Sequence, residues 1–199
     1  SNYHLGYLIE QRSETYKKNT VFKSINKNKI KEINYSQLWK KIKFYAKAIS
    51  SFEDQQRTPV IGLLTPNHLN GALIDLTCLS FGFRIIPIPL NITASNLSYI
   101  ITHSEITHLF IGGKNAIKLW NEIQFRHDIK IISFFTNHSI LGKVIDWESF
   151  NDLSNSVKNF NTKMRLSNVS INDTQTIMYT SGTTSKPKGI IFNQLNIII

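Results

Sequence analysis

An α/β fold, with a mostly parallel sheet flanked by helices and a small N-terminal hairpin, is predicted by three features of the sequence. Apolar runs of strand length recur at Val60–Leu64, Ile85–Ile88, His108–Ile111 and Ile129–Phe134. Segments with helical apolar spacing separate them. The runs are apolar almost throughout rather than alternating, as in parallel strands covered on both faces. Strand, helix and strand within about thirty residues make a βαβ unit, whose crossover is right-handed.

The elements follow in order. Leu5, Leu8 and Ile9 recur at helical spacing and predict an amphipathic helix over Leu5–Tyr16. Val21–Phe22 and Glu32–Asn34 bracket a turn-like Ser24–Lys29, giving the hairpin. Ser36 is a candidate N-cap, and Leu38, Ile42, Tyr45 and Ile49 follow at spacings of four, three and four. Lys40, Lys41, Lys43 and Lys47 decorate the other side of that helix. The polar stretch 51–58 is a loop ending at Pro59. After the Val60–Leu64 strand, Leu69, Ala72, Leu73, Leu76 and Leu79 form a helical stripe that Gly82 ends. Helices near Ser95–Thr102 and Ala116–Ile123 lead into the third and fourth strands. Residues 142–173 read as an irregular excursion. Thr176–Thr180 is a strand entering a polar loop, Ile190–Phe192 is a short strand beyond it, and Asn193 can cap a helix that begins at Gln194. Ile197, Ile198 and Ile199 need a surface to pack against, so residues 1–199 read as the N-terminal portion of a longer protein, truncated before the rest of its domain.

Composition narrows the function classes. The 199 residues are 41% hydrophobic and 18% charged, enough for one sizeable core. No apolar run approaches the ~20 residues of a spanning helix, and no signal-peptide pattern follows the amino terminus. One cysteine, Cys78, excludes an intramolecular disulfide and any multi-cysteine metal site, and it reads as a core filler. A reducing, cytoplasmic compartment is expected. The net charge is +10, and residues 1–50 hold 11 basic and 3 acidic residues. A basic patch of this kind can serve nucleic acid, an anionic membrane or an acidic partner. With no recognition motif beside it, it reads as a solvated lysine-rich face.

Other constellations are weaker. His103 and His108 are five apart and do not share one helical face as a metal pair would, so they read as helix-end and strand residues. No carboxylate pair and no Ser-His-Asp order stands out. Trp39, Trp120 and Trp147 read as core or boundary residues.

Thr180-Ser181-Gly182-Thr183-Thr184-Ser185-Lys186-Pro187-Lys188-Gly189 is the one sharp chemical signal. Gly182 lets the backbone approach a ligand closely, and successive N–H groups can converge on a phosphate oxygen. The hydroxyls of Thr180, Ser181, Thr183 and Thr184 add donors that can also face a Mg²⁺ shell. Lys186 and Lys188 supply positive charge near a polyphosphate. No glycine here is followed by Lys and Ser or Thr, so this is not a Walker A loop. An ordinary polar loop between two strands is the alternative on composition alone.

Tyr179 to Gly189 resembles the phosphate-loop signature of the adenylate-forming enzymes: acyl-CoA synthetases, peptide-synthetase adenylation domains and luciferases. The family pattern is Tyr-Thr-Ser-Gly-Thr-Thr-Gly-x-Pro-Lys-Gly, and Ser185 stands where the family usually has Gly. Asn172-Asp173-Thr174 resembles the family's Asp-Asp-Thr, and Gln194-Leu195-Asn196 its His-x-Asn, with Gln for His. Upstream, Ile33–Leu38, Val60–Asn67 and Gly82–Leu90 resemble further family segments in order and spacing.

The resemblance implies part of the large N-terminal domain of an acyl-CoA synthetase-like fold. It also implies the chemistry of an ATP-dependent carboxylic acid–CoA ligase: a carboxylate attacks the α-phosphorus of ATP, pyrophosphate leaves, and a thiol then displaces AMP. Thr180, Ser181, Gly182, Thr183, Thr184, Ser185, Lys186 and Lys188 would then hold the phosphates, with Thr184 toward Mg²⁺; for Lys188 a structural ion pair is the alternative. ATP, Mg²⁺ and coenzyme A are the implied cofactors and co-substrates. The Ser185 variant resembles some carnitine/crotonobetaine-type CoA ligases, and a fatty acid is the other candidate substrate. The adenine and acyl pockets and the adenylating Lys of the family lie further along, so no catalytic residue is assigned within 1–199 and the isolated portion is expected to be inactive. A fatty acyl-AMP ligase, a peptide-synthetase adenylation domain and a non-catalytic basic binding module are the alternatives. Apolar surface left open near residues 190–199 is expected to drive self-association.

Overall fold

Strands whose side chains are apolar in both directions must be covered on both faces, and here they are. The computed structural model of the chain describes residues 3–26, 29–54, 57–123, 128–135, 139–180 and 186–198. A seven-stranded sheet is built from β3 (Val60–Leu64), β4 (Arg84–Pro87), β5 (His108–Ile111), β6 (Lys130–Ser133), β7 (Val144–Asp146), β8 (Thr174–Thr180) and β9 (Lys188–Asn193). The strand order is β7-β6-β5-β3-β4-β8-β9. Neighbours are parallel except β8 and β9, which form an antiparallel hairpin.

Alternate residues of β3, β4, β5 and β6 enter two separate cores. Ile61, Ile85, Phe110 and Ile132 face one side, where they meet α1 (Leu5–Thr15), α2 (Tyr35–Ser50), α3 (Leu69–Phe81) and α6 (Trp147–Ser156). Leu64, Ile86, Leu109 and Ile131 face the other, beneath α4 (Ala94–His103) and α5 (Lys114–Asn121). The second core also contains Tyr179 of β8. Two short helices, α7 (Thr162–Ser167) and α8 (Gln194–Ile198), precede β8 and follow β9. A separate antiparallel pair, β1 (Thr20–Asn26) and β2 (Lys29–Asn34), is the expected hairpin.

The structure departs from the sequence reading in three places. The hairpin strands run further inward, so Ser24 to Asn26 are ladder residues rather than turn. The α2 cap is Asn34 and not Ser36: Gln37 N–H donates to Asn34 Oδ1 at 2.9 Å, and Asn34 N–H donates to Gln37 Oε1 at 3.0 Å. That reciprocal box satisfies two end groups, where a lone serine cap satisfies one. The stretch 142–173 is not irregular, for it holds the parallel edge strand β7, then α6 with fully buried Phe150, then α7. Elsewhere the boundaries shift by a few residues. Gly82, at φ 75°, closes α3 in the left-handed region that glycine enters without strain. Cys78 is fully buried, and Trp39 and Trp120 are core residues. No helix among the described residues is long and apolar enough to cross a membrane.

Candidate functional site

The loop signalled by the sequence lies where β8 turns back into β9. Thr180 ends β8 and pairs with Lys188, the first residue of β9. Residues 181–185 lie outside the described residues, so Ser181, Gly182, Thr183, Thr184 and Ser185 have no structural placement. Thr180, Lys186 and Lys188 are exposed, and Pro187 between the lysines is buried. Lys188 has no ion-pair partner among the described residues. At the stem of the loop the structure therefore leaves one hydroxyl and two ammonium groups open to solvent. This donor set fits a polyphosphate anion, since it offers hydrogen-bond donors and positive charge. The expected Mg²⁺ contact of Thr184 lies outside the described residues.

Both flanks of the loop touch α4. The Tyr179 hydroxyl is hydrogen-bonded to His103 Nδ1 at 2.6 Å and to Ser104 Oγ at 2.7 Å. Tyr179 and Ser104 are buried at 6% and 4% exposure. One helical turn before His103, Tyr99 lies against its imidazole, with ring centroids 5.1 Å apart. On the far flank, Lys186 Nζ sits 5.2 Å from the Tyr99 ring centroid. The ring of Tyr179 also crosses the hairpin. A Cβ added at Gly189 would come within 3.2 Å of Tyr179 Cζ and 2.8 Å of Ile177 Cγ2. The return strand thus needs a glycine where that ring lies.

A cavity of about 740 Å³ opens beside the hairpin stem, at the carboxyl ends of β3 and β4. Leu63, Thr65, His68, Asp75, Pro87 and Met178 are among its lining residues. His68 is fixed at the start of α3: its Nδ1 accepts from Gly71 N–H at 3.3 Å, and its Nε2 is 2.9 Å from Thr65 Oγ1. Burial holds His68 below the ordinary imidazole range. Asp75 has no hydrogen-bond or ion-pair partner among the described residues. Burial alone pushes its carboxyl up to about 6.

His103 and His108 sit at a helix end and in a strand. His108 packs under Phe52, with ring centroids 4.1 Å apart, and burial, aided by the charge of Lys130, brings it down to about 4. Among the described residues no group of three or more His, Cys, Asp or Glu is arranged to hold a metal ion. Sequence reasoning missed the contacts of Tyr99, His103 and Ser104 with the loop flanks, and it missed Asp75. The spacing of four between Tyr99 and His103 was the one available signal for the former, and it named no partner.

Comparison with known proteins gives the family and the fold. A family model described as "AMP-binding enzyme" matches residues 9–199. The chain is 21% identical over 196 residues to the long-chain-fatty-acid–CoA ligase ACSBG2 of Mus musculus, covering 96% of this chain and 29% of the relative. It is 27% identical over 133 residues to long chain acyl-CoA synthetase 2 of Arabidopsis thaliana, covering 61% of this chain and 19% of the relative. The chain thus spans less than a third of the length of these relatives. Among solved structures, the anthranilate CoA ligase AuaEII in complex with anthranoyl-AMP superposes with a TM-score of 0.77 at 17% identity, over 97% of this chain and 35% of that one.

Proposed function

The chain belongs to the AMP-binding enzyme family, and on that premise we propose that it forms the phosphate-holding part of an ATP-dependent carboxylic acid–CoA ligase. One observation carries the reading. The motif Tyr179 to Gly189 spans a hairpin whose stem presents Thr180, Lys186 and Lys188 to solvent. In the proposed reaction the acid's carboxylate oxygen bonds to the α-phosphorus of ATP while the bond to the β-phosphate breaks. Pyrophosphate leaves with the electron pair of the broken α-phosphorus–oxygen bond, and the thiol of coenzyme A, losing its proton, then displaces AMP from the acyl group.

The residues of this chain act on the leaving group. Lys186 and Lys188 offset the charge that builds on the β- and γ-phosphates, which lowers the barrier because the positive groups are already in place. Thr180, Ser181, Thr183, Thr184 and the Gly182 backbone would donate hydrogen bonds to the same oxygens. Mg²⁺, held with the help of Thr184, would share the phosphate charge.

A long-chain fatty acid is the first substrate class to test, since the curated relatives carry that chemistry in their names. Carnitine- or crotonobetaine-type acids come second. Residues 1–199 alone would bind nucleotide weakly and turn nothing over, because the family's adenine and acyl pockets lie beyond them. A cytoplasmic location and self-association of this portion complete the reading.

The test is ATP–pyrophosphate exchange by the complete protein across a panel of carboxylic acids, with Lys186→Ala and Thr184→Ala alongside. Acid-dependent exchange weakened by both substitutions is the expected result. Absence of exchange with every acid, together with absence of ATP binding by calorimetry, would overturn it. Release of AMP with coenzyme A, compared with a carrier-protein thiol, separates a CoA ligase from the fatty acyl-AMP ligase and peptide-synthetase alternatives.

A further inference from the structure

We propose that Tyr99 and His103, one turn apart on α4, are positioning residues for the ATP phosphate loop, gripping it from both flanks. The inference rests on the function proposed above and adds residues that the loop motif does not contain.

The two flanks are held in chemically different ways. On the β8 side, the buried Tyr179 hydroxyl is bonded to His103 Nδ1 at 2.6 Å and Ser104 Oγ at 2.7 Å. A phenol hydroxyl shared by two partners has little freedom to rotate or shift, and Tyr179 immediately precedes Thr180. The height of the loop stem is therefore set by α4. Gly189 completes this arrangement, because a Cβ there would meet the Tyr179 ring. On the β9 side, the Lys186 ammonium lies over the Tyr99 ring at 5.2 Å, and Tyr99 is backed by His103.

The choice of a ring rather than a carboxylate for Lys186 has a consequence. An aromatic face attracts an ammonium through its quadrupole and carries no net charge. A carboxylate would orient the lysine equally well and would also neutralise it. Tyr99 thus directs Lys186 while leaving its full charge for a phosphate. The contact is worth little alone, and its value is in fixing the direction of a long side chain before the ligand arrives.

The test is steady-state pyrophosphate exchange by the complete protein carrying Tyr179→Phe, Tyr99→Leu or Tyr99→Phe. Tyr179→Phe removes one hydroxyl; Tyr99→Leu removes the ring; Tyr99→Phe keeps it. The expected result is a rise of about fivefold in KM for ATP with Tyr179→Phe and Tyr99→Leu, the scale of one lost hydrogen bond. The KM for the acid should stay within about twofold, kcat should fall with Tyr99→Leu to the extent that Lys186 steadies charge in the transition state, and Tyr99→Phe should behave as wild type. An unchanged ATP KM in the first two variants overturns the inference and leaves the proposed function standing. An equal rise in the KM for the acid also overturns it, since a merely structural contact would loosen both sites. If the wild type shows no exchange, ATP affinity is read by calorimetry on the same variants. Equal affinities, or no binding by the wild type, overturn it there.

Discussion

The side-chain amide of Gln194 donates a hydrogen bond to the backbone carbonyl of Leu79, 115 positions earlier in the chain. Gln194 is fully buried, and its carbonyl accepts from the Leu5 N–H at 3.3 Å. One residue thus closes an open carbonyl in the last turn of α3 and an open N–H in the first turn of α1, two places where helices lack internal partners. It stands directly after β9, so it also ties the phosphate-loop hairpin to the helical layer on the α3 face.

Replacing Gln194 by Leu leaves the buried Leu79 carbonyl and the part-buried Leu5 N–H without partners. The expected loss is about 1–3 kcal/mol in a urea titration of this chain. A change below the error of the titration would show that neither hydrogen bond matters to stability.

Glu53 and Arg165 form a two-pronged ion pair, one arm at 2.7 Å, with both side chains about three-quarters buried. Arg165 also lies over the rings of Phe83 and Phe160, at 5.9 and 5.7 Å. Glu53→Gln keeps the shape and removes the charge, leaving a mostly buried guanidinium without a counter-charge. We expect a cost of about 1–3 kcal/mol, between the exposed and fully buried limits. Thermal melts at low and high salt check this, and the wild type should lose part of the difference in high salt.

Phe150 is fully buried and packs edge-on to Phe110 and stacked against Tyr45, with ring centroids 5.1 and 6.1 Å apart. Phe150→Ala should cost about 3–5 kcal/mol by urea unfolding. A cost under 1 kcal/mol would mean that α6 does not belong to the folding unit.

Phe150 also shows why part of the fold escaped the sequence. β3, β5 and β6 were legible because buried parallel strands are written as unbroken apolar runs. β7 has three residues, one of them Asp146, and an edge strand needs no apolar run. α6 offers only Trp147, Phe150 and Leu153 among polar residues, and its signal was the Asp146 cap, whose carboxylate accepts from Ser149 N–H at 2.8 Å. The site was legible along the chain and not across it. Tyr179 to Gly189 can be read as a string, whereas the partner of Tyr179 is 76 positions away. The fold alone brings His103 to it.

Asp75 makes a pH prediction with a definite sign. Its carboxyl titrates near 6 in the folded chain against an ordinary 3.8. Below 3.8 it is protonated in both states and costs nothing. As pH rises toward 6 the unfolded chain loses that proton first, so stability falls by at most about 3 kcal/mol. His108 works in the opposite direction, since it titrates near 4 when folded against 6.5, so its contribution rises over the same window. The two slopes largely cancel in the wild type. Asp75→Asn removes one of them, and its stability should climb more steeply between pH 4 and 6.5, exceeding wild type at pH 7 and matching it near pH 4. Denaturant midpoints across pH read this directly, and parallel curves would refute it.

The free edge of the sheet gives the last prediction. β9 is an outer strand, and its residues Ile190 and Ile191 are 48% and 63% exposed, beside Met178 at 47%. Ile190 pairs with Met178 and Ile191 with Ile177, so apolar side chains emerge on both faces of the hairpin. An uncovered strand edge with such flanks pairs readily with another copy of itself. Residues 1–199 should therefore sediment as a concentration-dependent mixture of monomer and larger species. Ile191→Lys, which puts a charge on the exposed face without removing a ladder hydrogen bond, should shift the chain to monomer. A wild type that sediments as monomer across the whole concentration range would show that these side chains do not drive self-association.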